Sequence, residues 1–114
     1  MFEFRDRKVE LNIAGNEFVI EAGTKVDKII MQRTKEAADI VKQFCNDEKT
    51  DDEVITAYKG YFNEILNDEK AAEKIFANRV PDVQDCIDVM AYIASNATRF
   101  FQKSALTPIR GGKQ

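Results

Sequence analysis

Apolar and polar residues alternate from Val9 to Ile20. Val9, Leu11 and Ile13 are separated by Glu10 and Asn12, and after the turn-forming Ala14-Gly15-Asn16, Phe18 and Ile20 alternate with Glu17, Val19 and Glu21. A period of two predicts strands, and the short turn joins them into a β-hairpin with one apolar face. A lone hairpin is marginal in water, so this face requires a covering helix or a neighbouring chain. Phe2 and Phe4 either extend the first strand or form a separate apolar arm; the pattern does not choose.

Beyond Ala22-Gly23 the period changes. Val26, Ile29, Ile30, Ala37, Ile40, Val41, Phe44 and Cys45 recur at spacings of three and four, which predicts a helix of about six turns. Thr24 and Asp27 resemble a capping box at its start, and Asn46 to Lys49 break the pattern at its end. Thr50 and Glu53 form a capping box for a second helix with a broad face of Val54, Tyr58, Tyr61, Phe62, Ile65 and Leu66. Gly60 lies inside it, and its cost of about 1 kcal/mol against alanine would be offset by close approach of another backbone. Asn67-Asp68 is expected to cap a short third helix carrying Ala71, Ala72, Ile75 and Phe76. Val80-Pro81-Asp82 marks the entry to a fourth, with Val83, Cys86, Ile87, Met90, Ile93, Ala94, Ala97 and Phe101 as its stripe. The predicted class is therefore α+β, mostly α: an N-terminal β-hairpin followed by about four helices.

At 114 residues the chain is the size of one domain, able to bury roughly two-thirds of the surface its unfolded form exposes. The expected organisation is a single hairpin-plus-helices domain over residues 1–104 and a flexible tail over 105–114, where Pro108 and Gly111-Gly112 interrupt any period. An apolar share of 44% beside 32% charged residues suits a globular protein. A net charge of -3 argues against a general nucleic-acid binder, which carries a basic excess. The charge is also uneven. Residues 46–73 hold nine acids against three lysines, whereas 98–114 hold Arg99, Lys103, Arg110 and Lys113 and no acid. Acids near helix starts and bases near helix ends complement the helix dipole; head-to-tail contact between copies is the functional alternative.

The apolar runs are too short for the roughly 20 residues of a membrane span. The opening Met1 to Lys8 carries both charge signs and leads into a strand, unlike a signal peptide, so a cytoplasmic location is expected. Chemistry is sparse. The chain has no histidine, and its two cysteines, Cys45 and Cys86, lie 41 positions apart on apolar helical faces, which predicts buried reduced thiols. The acidic run Asp47 to Glu53 lacks the glycine of a calcium loop. Ser95 and Ser104 have no histidine to activate them. Gly111-Gly112-Lys113 is not preceded by a strand or followed by a helix, as a phosphate loop would be. A binding protein without catalytic group, metal or cofactor is the expectation. Core packing accounts for most of the rings. A surplus among Tyr58, Tyr61, Phe62, Tyr92, Phe100 and Phe101 would line an apolar groove between the second and fourth helices, suited to a partner helix.

The order of features resembles that of the tail assembly chaperones of long-tailed bacteriophages and related prophages. It comprises the hairpin Val9 to Ile20, the turn Ala22-Gly23-Thr24 into a long helix, an acidic middle, the Val80-Pro81-Asp82 entry and a basic end. The resemblance covers the whole chain as an order, with no single diagnostic motif. It implies a protein of the bacterial host cell that self-associates, coats the helical tape-measure protein and brings tail-tube subunits to it. Members of that family often exist in a short form and a longer frameshifted form, and Gly111-Gly112-Lys113 is a run whose codons can encode slippery purines. It offers no catalytic or ligand residues to carry over. Two other readings remain open: another phage tail or connector protein, and a small helical regulatory protein.

Overall fold

The computed structural model describes residues 2–3 and 7–98. Among these residues, strands β1 (Lys8–Ile13) and β2 (Asn16–Glu21) precede helices α1 (Thr24–Cys45), α2 (Asp51–Ile65), α3 (Ala71–Ile75) and α4 (Val83–Ala97). This is the α+β, mostly α architecture that the periodicities predict.

The hairpin is antiparallel, with Val9 opposite Ile20, Leu11 opposite Phe18 and Ile13 opposite Asn16. Its two-residue turn, Ala14-Gly15, has φ of 54° and 85°, the left-handed pair that matches strand twist. Leu11, Ile13, Phe18 and Ile20 are buried on the inner face, while Val19 points outward and stays exposed. Helices supply the cover that this face needs. β1 packs on α4, and α2 packs on α1, α3 and α4. The Asn16 side-chain amide donates to the Lys74 carbonyl at 2.9 Å, fastening the turn to α3.

Helix ends follow from local chemistry. Thr50 and Glu53 exchange hydrogen bonds in the capping box expected for α2, and Asp82 with Asp85 forms a second box at the start of α4. The Arg79 guanidinium closes on Asp85 with two contacts of 2.9 Å and, with Asp82, holds that carboxyl below the usual carboxylate range. α1 and α2 both stop in Schellman turns. Glu48 N donates to Gln43 O and Asp68 N to Asn63 O, with left-handed Asp47 and Asn67 where glycine is commonest. Asn67 thus ends α2 instead of capping α3. Asp68 serves the entry to α3, accepting from Lys70 N at 2.9 Å and from Lys74 Nζ at 2.7 Å.

Three further local expectations are corrected. Thr24 and Asp27 form no capping box: α1 starts after Gly23 without a side-chain cap, and Asp27 is buried. Cys45 is exposed at the end of α1, where the stripe has turned away from the core; Cys86 is buried, which pushes its thiol up to about 11. Gly60 faces open space: among the described residues no atom beyond its own helix backbone lies within 4 Å of where a Cβ would stand, so none of them brings a backbone close. Phe4, Phe100 and Phe101, and the proposed tail 105–114, lie outside the described residues.

Two substitutions separate core from surface on α2. Phe62→Ala is expected to destabilise the chain by about 3–5 kcal/mol in urea unfolding, because the ring is fully buried. Gly60→Ala should stabilise it by up to about 1 kcal/mol in the same assay, since a methyl group there meets nothing.

Candidate protein-binding groove

The rings expected to line a groove between α2 and α4 are mostly spent on the core. Tyr58 and Phe62 are 3% and 0% exposed and sit 5.9 Å apart, centroid to centroid. Burial pushes the Tyr58 hydroxyl up to about 12, as for a phenol kept from water. Phe76 packs against Phe62 at 6.3 Å. Tyr61 is half-buried and meets Tyr58 in a T-shaped contact at 5.9 Å. Because α2 and α4 are packed together here, these rings seal the helix contact and offer no open trough. This corrects the assignment of Tyr58 and Phe62 as binding residues.

Tyr92 is the exposed member, and its hydroxyl accepts a hydrogen bond from Asn12 N at 3.3 Å. In a two-residue hairpin the residue one step outside the Ile13–Asn16 pair directs its N–H away from the partner strand. Tyr92 thus takes up a donor on the outer edge of β1 and ties it to α4.

An open groove lies elsewhere, between α1 and α4, with a volume of about 740 Å³. α1 contributes Asp27, Ile30, Met31, Thr34, Lys35 and Ala38; α4 contributes Ala91, Ala94, Ser95 and Thr98. Both sets follow helical spacing, and both continue stripes next to the core-facing ones. The alanines keep the α4 wall low, and Met31 stands up from the other wall at 62% exposure. Apart from Asp27, Thr34, Lys35, Ser95 and Thr98, the lining is hydrocarbon. Ser95 and Thr98 turn their hydroxyls back on their own helix, donating to the carbonyls of Ala91 and Ala94, which leaves methylene and methyl groups toward the space.

Asp27 is the unusual group. It is 2% exposed, and neither carboxylate oxygen has a hydrogen-bond partner among the described residues. Its cover is thin, a groove wall and not the deep core, yet burial alone raises its pKa. The positive end of the α1 dipole offers partial compensation in the first turn. A buried polar group without a partner costs of order 1–3 kcal/mol, more when charged. Lys35, on the same helix face, stands eight residues away, about 12 Å along the axis and beyond its reach. By contrast Arg33, on another face of α1, is fully engaged: it meets Glu64 of α2 at 2.6 and 3.2 Å and Glu36 at 2.8 Å.

No helix of the described residues is long and apolar enough to cross a membrane, and among them no three acidic or thiol groups converge as metal ligands would. Compared with protein families, characterised proteins and solved structures, the chain matches none.

The Asp27 environment sets a pH signature. A carboxyl with a raised folded-state pKa disfavours folding once the unfolded chain ionises, so its cost is absent well below about pH 4 and grows as pH rises through the folded value. The stability difference between Asp27→Asn and wild type, measured on the dilute monomer by thermal unfolding, should therefore shift in favour of the variant from pH 3 to pH 7. A difference that is flat with pH would mean the carboxylate is not strained.

Proposed function

We propose that this chain is a phage tail assembly chaperone, a non-enzymatic protein of the bacterial cytoplasm that holds the helical tape-measure protein and helps recruit tail-tube subunits. The observation that carries the proposal is the α1–α4 groove: an apolar trough with a low alanine wall on α4 and, in the α1 wall, a carboxylate unpaired among the described residues. A trough between two helices accepts a third helix by the same ridge-and-groove packing that joins the first two. The order of hairpin, long helix, acidic middle and proline-marked last helix supports the same reading. A coat for a long amphipathic chain needs apolar troughs and no bond-making chemistry. The groove takes the place of the ring-lined site between α2 and α4.

The test is co-expression with the tape-measure protein of the same phage or prophage. The client is expected in the soluble fraction, bound to this chain, and Ala91→Arg should reduce its recovery about tenfold by filling the trough. Circular dichroism should be unchanged, because Ala91 is exposed. A client that remains insoluble with or without this chain would overturn the proposal.

A further inference from the structure

The groove carries a pattern that no client is needed to explain. On α1, Asp27, Met31 and Lys35 follow one another at intervals of four, with Ala38 further along the same face. Met31 is thus the midpoint between an acid and a base, each about 6 Å from it along the axis. Turning the helix end for end about Met31 exchanges the acidic position with the basic one. The face is therefore complementary in charge to a second copy of itself, which is the property an isologous contact requires.

We propose that in the free protein the groove is occupied by α1 of a second copy, antiparallel to the first, with the two-fold axis at Met31. This rests on the reading above that the trough takes a helix, and it names the helix. In this arrangement Asp27 and the partner subunit's Lys35 lie at one level along the axis. The four-carbon stem of lysine is long enough to bring its ammonium over the thin cover of the carboxylate. The same pair recurs on the other side of the axis. Met31, an adaptable side chain that is mostly exposed in the single chain, enters the trough of its partner beside Ala91 and Ala94. One contact thus supplies three things that the described residues of the single chain do not: a counter-ion for Asp27, a partner for Lys35 and cover for Met31.

Other candidates carry less. The shallow recess between β2 and the link from α2 to α3 is polar, and the one beside Val80 is lined by charges already paired or in water. The recess formed by Val26, Ile29 and Ile65 contains no orphaned group among the described residues.

The experiment uses the full chain with Cys45→Ser, which removes the exposed native thiol. Met31→Cys in that background should form a disulfide-linked dimer under copper-phenanthroline, because the two thiols meet at the axis. Gln32→Cys, exposed but a quarter-turn off the face, should remain unlinked. Light scattering of the wild type should give twice the 13.0 kDa chain mass, and Lys35→Glu should weaken that dimer by at least about tenfold with an unchanged circular dichroism spectrum. A wild type that stays monomeric at roughly 100 µM, or a dimer that links equally through position 32, overturns the proposal. Neither measurement contains a client, so a failure here is distinct from a failure of tape-measure capture.

Discussion

The inner face of the hairpin is the constraint on which the rest of this molecule depends. Two strands have no second sheet to pack against, and Leu11, Ile13, Phe18 and Ile20 together expose more hydrocarbon than a hairpin can keep in water. The helices close over that face, and α4 is held in position by both apolar contact and the Asn12–Tyr92 bond. α2 then completes the core with Val54, Tyr58, Phe62 and Ile65. Once these contacts are satisfied, α1 remains the longest element and the one with the most helix left over. A helix of 22 residues cannot be covered along its whole length by partners of 15 and 15. The open trough between α1 and α4 is the geometric remainder.

How far the sequence could be read depended on whether a signal was periodic or depended on neighbours. The alternation in Val9 to Ile20, the stripe of α2, those of α1 as far as Phe44 and of α4 as far as Ala97, and the capping box at Thr50 are local patterns, and each forms as read. The errors are all questions of context. Thr24 and Asp27 have capping-box spacing, but helix entry through Gly23 turns Asp27 onto a wall where it finds no donor among the described residues. Cys45 belongs to the apolar stripe by spacing, yet the helix has by then outrun the core. Gly60 suggests a close neighbour that the described residues do not supply.

The binding site illustrates the same division. Large aromatic side chains were the natural markers of a sticky surface, and Tyr58 and Phe62 proved to be the mortar of the α2–α4 contact for the same reason that they drew notice: size. The trough is instead built by small residues, Ala91, Ala94, Ser95 and Thr98, whose effect is the volume they leave empty. A signal did exist, since these four recur at helical spacing on α4 and face a stripe of mixed character on α1. Only the packing of the two helices reveals that Asp27 is left there without a donor among the described residues.

The bond between Tyr92 and Asn12 has a bearing on how this protein behaves when crowded. A two-stranded sheet has two bare margins, and each bare margin is a template on which a foreign strand could grow into a fibril. Here the phenol occupies one of the outward-facing amides, and Glu10, Glu17 and Glu21 confront any newcomer with negative charge. A ribbon small enough to fold only with help is in this way also kept from recruiting the wrong kind of help.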